Sequence, residues 1–225
     1  MKKFSVFVFS ALLAGAAGAA NAPDESWAKP RFDLNSQGTF VLPTGDNNAD
    51  YTDAIEFKGV YWFTPLLGAG LSWGFGEWFV EDESIRPPYV LPAVDDSETD
   101  LSLSTMPIGA SLYLRPWTSG RFSLNLEAGV RYLYAWDDVY LEWDGETTGD
   151  DDVLILVQHE GDVDSAWIGL LGADLEISIS SAFYASLGAG YQFDLGSAEY
   201  RLWNEPAQEL SFEGVSLRAS LGLRF

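Results

Sequence analysis

The 225-residue sequence has no cysteine, one histidine, and 12 basic residues against 34 acidic ones. Without cysteine, no disulfide framework holds the chain, even where it is exported. The shortage of lysine and arginine leaves a net charge of −22, and a field of that sign repels phosphate, which excludes nucleic acid as a partner. Any triad or acid–base pair that needs an imidazole must use His159, since there is no other. Long apolar runs are missing as well. Beyond the first two dozen residues nothing approaches the about 18 apolar residues of a spanning helix, so passage through a bilayer would have to use strands.

What is present is aromatic and unevenly greasy. Aromatics make up 15% of the chain, with nine tryptophans, and mean hydropathy sits near zero despite the charge, so apolar and acidic segments are interleaved. A disordered chain would lack the first of these. The opening "MKKFSVFVFSALLAGAAGAANA" carries two lysines, an apolar run from Phe4 to Leu13 and a small-residue tail ending Ala20-Asn21-Ala22. That is the layout of a cleaved export signal. We expect residues 1–22 to be removed, with cleavage near 20–22, leaving 23–225 as one domain.

The rest of the chain alternates. In "FSLNLEAGVRYLYAW", Phe122, Leu124, Leu126, Ala128, Val130, Tyr132, Tyr134 and Trp136 share one face, opposite Ser123, Asn125, Glu127, Gly129 and Arg131. A two-residue period of this kind is a strand with one oily side, and at 15 residues it exceeds the roughly 9 to 11 that cross hydrocarbon. The same pattern recurs around Phe32–Leu42, Ile55–Phe63, Leu67–Phe75, Met106–Leu114, Trp167–Ile179, Phe183–Phe193 and Val215–Phe225, which makes eight. Pro107 is expected at the beginning of its strand, where a missing N–H is harmless. Connections after the second, fourth and sixth strands are tight, whereas Pro43–Thr52, Val80–Asp100, Asp137–Asp164 and Leu195–Ser211 are long and hold most of the acidic residues. Alternating short and long turns suit a meander that crosses a bilayer repeatedly.

The predicted fold is therefore all-β, an eight-stranded antiparallel up-and-down transmembrane β-barrel. Eight long aromatic-rich faces would overfill so narrow a lumen, so the apolar side must point outward. The lumen then holds Asp33, Glu56, Glu127, Asp174, Glu176 and Asp194 with Lys58, Arg115, Arg131, Arg218 and Arg224. Buried charges are tolerable only when paired, so this set is expected to form an interior ion-pair network that fills the barrel. Aromatics near the short turns (Trp62, Phe63, Phe122, Phe183) and near the long loops (Tyr134, Trp136, Trp167, Tyr191, Phe193) are expected to form two interfacial girdles.

An export signal, eight alternating strands, sorted turns and a C-terminal aromatic resemble the small outer-membrane barrel proteins of the OmpA transmembrane-domain and OmpX type. The resemblance covers nearly all of the chain after the leader and is architectural. It implies an outer-membrane location among lipids and lipopolysaccharide, and it implies that Leu217, Ala219, Leu221, Leu223 and Phe225 are read by the barrel-assembly machinery.

The remaining motifs are weaker. "LGAGLSWGFG" at Leu67 and "LGAG" at Leu187 look like phosphate-cradling loops, but no helix opens after the glycines; small residues facing a crowded lumen explain them. Acidic runs "DDSETD" at Asp95 and "GDDDVL" at Gly149 offer hard oxygen ligands, yet lack the spacing of a calcium loop. They read as solvated loops, with weak divalent cation bridging to lipopolysaccharide as the alternative. His159 lies beside Glu160, Asp162 and Asp164 with no partner serine legible, so a membrane-embedded hydrolase is a minor alternative. "VYLEW" from Val139 and "VLILV" from Val153 suggest a hairpin raised above the membrane, a ready adhesive edge. The expected role is non-enzymatic, without cofactor or resident metal: structural or surface-interacting, adhesin-like through the second and third loops. The rivals are a narrow channel or hydrophobic-solute conduit, and a soluble lipocalin-like binder.

Overall fold

The computed structural model describes residues 31–44, 49–81, 97–146, 152–160, 162–201 and 207–225. The expected export signal lies outside them, as do the first two residues of the acidic run at Asp95 and the first three of the one at Gly149. Twelve strands follow in order: β1 (Arg31–Pro43), β2 (Ala49–Trp62), β3 (Leu67–Glu81), β4 (Ser97–Ser119), β5 (Phe122–Glu146), β6 (Asp152–Glu160), β7 (Asp162–Val163), β8 (Ala166–Ser178), β9 (Phe183–Asp194), β10 (Ala198–Arg201), β11 (Gln208–Leu210) and β12 (Gly214–Arg224).

Eight of these, β1–β5, β8, β9 and β12, pair antiparallel each with the next, and β12 returns to β1 with Asp33 opposite Arg224 and Pro43 opposite Gly214. The seam continues past the last strand residue, since Phe225 N–H donates to Phe32 O (2.9 Å) and Phe32 N–H to Phe225 O (3.2 Å). The barrel is closed, so no sheet edge is left within its wall, as hydrocarbon demands.

Hydroxyl side chains shape two of the tight turns. Thr64 Oγ1 accepts from the N–H of Leu66 and Leu67 (3.2 and 3.0 Å) between β2 and β3, and Ser180 Oγ accepts from Ala182 and Phe183 (3.2 and 3.0 Å) between β8 and β9. Such hydroxyl-to-backbone bonds stand in for the missing ladder. Between β4 and β5 the chain reverses at Gly120, whose φ of +57° favours glycine.

Side chains alternate around the whole wall. Outward residues such as Leu71, Leu112 and Leu187 are 71%, 67% and 66% exposed, while inward Glu56, Lys58 and Arg115 are almost completely buried. An apolar belt of this extent on the outside is the surface a bilayer covers. Phe63, Phe122 and Phe183 sit outward at the short-turn end, with Tyr134, Trp167 and Tyr191 toward the long loops. The side chain of Trp136 lies outside the described residues.

Three expectations need correction. Trp62 is not in a girdle: it points inward and is 4% exposed, because the alternation that puts Tyr61 in lipid puts its neighbour in the lumen. Pro107 is interior to β4, where the ladder to β3 passes from Ile108 to Thr105 across it, so its missing N–H falls in a gap. The wall also rises farther than expected, with β4 and β5 running 23 and 25 residues. Above the barrel β5 exchanges partners: it pairs with β8 up to Leu133–Ala166, then with β6 from Asp138–Glu160 to Glu146–Asp152. The raised hairpin expected from the third loop is this β5–β6 ribbon.

Candidate functional site: the lumen and its mouth

Inward positions bring the charges together from walls that are far apart in sequence. At the short-turn end, Arg31 lies 3.3 Å from Asp33, and Trp62 Nε1 donates to the same carboxylate at 2.9 Å. The Arg115 guanidinium stands 3.9 Å from the centroid of the Trp62 ring and pairs with Glu176 at 3.1 Å, while its Nε donates to Asn125. Arg224 also pairs with Glu176 and donates to Ser178. Halfway up, Glu127 receives Lys58 Nζ (3.1 Å), Arg218 Nη1 (2.5 Å), Ser111 Oγ (2.9 Å) and Tyr113 Oη (3.0 Å). Arg218 reaches Asp174 as well, at 2.9 Å. One step higher, Arg131 approaches Glu56 at 2.9 Å, though without hydrogen-bond alignment.

Two of the glycines make room for this network. A Cβ on Gly172 would run into the Arg218 guanidinium, and one on Gly188 into the Asp174 carboxylate. The glycines of the "LGAG" at Leu187 thus line the lumen, consistent with close approach rather than phosphate binding. One cavity among these side chains, lined by Asp33, Lys58, Trp62, Glu127 and Glu176, has a volume of about 30 Å³, room for about one water. The larger concavity of about 1710 Å³ is lined mainly by outward residues such as Leu71, Ile108, Leu112 and Phe183, so it belongs to the lipid-facing surface.

Toward the long loops the inward face changes character. Val41, Trp78, Leu103, Leu133, Ala135, Ala166 and Ile168 form one buried apolar cluster. It is covered by Val163 of β7, Ala198 and Tyr200 of β10, Leu210 of β11, and Phe212. Strands β7, β10 and β11 pair as a small separate sheet, which acts as a cap. Phe212 is its plug: 1% exposed, with its ring edge-on to Trp78 at 4.7 Å. Its backbone is gripped from below, since the Phe212 N–H donates to the Asp194 carboxylate (3.0 and 3.3 Å) and Gln192 Nε2 donates to its carbonyl (2.6 Å). Beside the cluster lies the exchange point of β5, where the Ala135 N–H reaches Ser165 Oγ at 3.4 Å.

Of the eleven residues named from sequence, ten lie in the ion pairs above, while Asp194 instead holds the cap. Arg31 was missed because it precedes the first legible alternation, although it shares a face with Asp33. The apolar mouth was missed because Leu133, Ala135 and Ile168 follow apolar neighbours (Tyr132, Tyr134 and Trp167) and blur the period. His159 occupies β6 opposite Val139, and its side chain lies outside the described residues. Among the described residues no group of three His, Cys, Asp or Glu stands ready to hold a metal.

No family model matches the chain, and no curated protein matches it. Solved structures do. The crystal structure of the outer membrane protein OprG from Pseudomonas aeruginosa superposes with a TM-score of 0.61 at 12% identity, covering 88% of this chain and 96% of that one. AlkL in lipid bilayers gives 0.49 at 12% identity over 92% and 95%, and Outer Membrane Protein W of E. coli gives 0.46 at 13% over 88% and 99%. The fold likeness rests on the first: this is the architecture of small outer-membrane barrels.

Proposed function

We propose that this chain is an exported, non-enzymatic outer-membrane barrel that passes neither water nor ions through its centre and handles an apolar solute at its loop-side mouth. The observation that carries the proposal is the sequence of environments along the lumen: an apolar, capped mouth above a section cross-braced by buried ion pairs. A conducting pore needs a continuous polar path, and an ion entering here would have to displace buried salt bridges at several kcal/mol apiece. An apolar solute meets no such penalty at the mouth, where Phe212 is the group it would replace. From there the outlet is sideways, past the β5 exchange point, because the way down is charged. The sequence-based conduit reading thus gains over the adhesin-like one, which concerns other residues, those of the second and third loops.

The test compares wild type with Phe212→Ala in planar bilayers and in lipid vesicles offered a naphthalene-sized fluorescent probe. Neither protein should show conductance steps, and the variant should transfer probe several-fold faster. Stepwise ion currents in the wild type, or transfer rates equal to protein-free vesicles in both proteins, would sink the proposal.

A further inference from the structure

Strand β6 is the last member of its sheet: in the order β4-β3-β2-β1-β12-β9-β8-β5-β6 it pairs with β5 on one side only among the described residues. Every other strand of that sheet has a neighbour on both sides once β4 meets β5. Half of β6's backbone N–H and C=O groups therefore face away from β5. The sequence of this edge is Asp-Val-Leu-Ile-Leu-Val-Gln-His-Glu, nine residues without proline or glycine. Five consecutive apolar residues on an edge unpaired among the described residues template another strand, and natural edges of this kind carry a device that limits what may add.

Here the device is acid at both ends. Asp150, Asp151 and Asp152 precede the apolar stretch, and Glu160 and Asp162 follow it. A second copy adding antiparallel about Leu156 would set Asp152 against the partner's Glu160 twice over, and like charges directly opposite are destabilising. The surrounding field worsens this, because the chain carries −22 overall and most of the acids lie on the loops. The edge selects against itself.

We infer that β6 is a docking edge for an extended foreign polypeptide with a short apolar centre flanked by lysine or arginine. Backbone bonds to the β6 edge supply the register, and the flanking cations fall at the register positions of the acids at the two ends, 152 and 160. This is strand addition with charge as the selector. The edge lies above the barrel wall and away from the ion-paired lumen, and one residue separates it from β7 of the cap, so Phe212→Ala is the variant that tells peptide docking from solute handling.

The test uses full-length protein in detergent micelles and dye-labelled nine-residue peptides whose Val/Thr centre is flanked by Lys. A second peptide replaces Lys by Glu, and a third keeps Lys but carries N-methyl groups on alternate backbone nitrogens, on either set in turn. Fluorescence anisotropy should show the Lys peptide binding at least about tenfold more tightly than the Glu peptide, with the gap narrowing in salt. One of the two N-methyl patterns should abolish binding. Leu156→Pro and Val157→Pro remove N–H groups pointing to opposite edges, so one of them should lose the peptide while the folded band on gels persists; Phe212→Ala should bind normally. Equal binding of Lys and Glu peptides, full binding by both N-methylated forms, or no binding of the Lys peptide overturns the inference. The peptide arms use wild-type protein, so they decide the matter even where a proline variant fails to fold.

Discussion

Glu127 shows what a single buried carboxylate does in this lumen. It faces two cations, Lys58 and Arg218, from different strands, and two hydroxyls, with 3% of its surface exposed. Glu127→Gln keeps the shape but leaves two positive charges in a dry interior with one neutral oxygen between them. Breaking a buried pair from one side costs about 3–5 kcal/mol, so the urea midpoint of the refolded barrel in micelles should drop by that equivalent. An effect below about 1 kcal/mol would mean that water or a neighbouring acid such as Asp174 replaces the lost charge. Which residues face inward was legible, because a strict two-residue period assigns every side chain to one wall or the other. Which acid meets which base was not: Arg218 and Glu127 are 91 positions apart, on strands that are not neighbours, and their meeting depends on the stagger of the closed barrel rather than on any local pattern.

The elements divide the labour by height. Below, each strand offers the lumen a polar or small residue and the lipid an apolar one; above, β3, β4, β5 and β8 turn Trp78, Leu103, Leu133 and Ile168 inward. Alternation carries information only while the two faces differ, so the strands were readable through the belt and became opaque at the mouth. The cap was harder still. Strands of two to four residues such as β7, β10 and β11 are too short for any period to register, and they exist because the mouth gives Tyr200, Leu210 and Phe212 somewhere to be buried. If the grip on Phe212 is what seats the cap, Asp194→Ala should release it. Removing the acceptor strands a buried N–H, a penalty of about 1–3 kcal/mol that falls on the cap alone. Limited proteolysis should then cut within the segment from Leu195 to Glu213 many times faster than in wild type, while the barrel keeps its heat-modifiable migration. Unchanged cleavage would show that apolar packing against Trp78 holds the cap by itself.

On the scale of the whole molecule, the last residue is where two requirements coincide. The Phe225 backbone closes the cylinder by exchanging hydrogen bonds with Phe32, yet its side chain is 71% exposed on the outer face, continuing the row of Leu217, Ala219, Leu221 and Leu223. Packing within the barrel therefore gives the ring little to do, as with Leu71 and the other side chains of the outer belt, and the second role expected of it, from the resemblance, is recognition during assembly. Phe225→Ala separates the two roles because it keeps the backbone pair and removes the ring. Purified protein refolded into micelles should lose less than about 1 kcal/mol, the expectation for a surface substitution that leaves no cavity. In cells, the folded, membrane-inserted form should fall several-fold if the terminal row serves as the address read during assembly. Deleting Phe225 should damage both measurements, because Phe32 then loses its partner at the seam and two backbone groups face hydrocarbon unpaired. Full insertion of Phe225→Ala in cells would remove the ring from any assembly role and leave the backbone pair with Phe32 as its contribution.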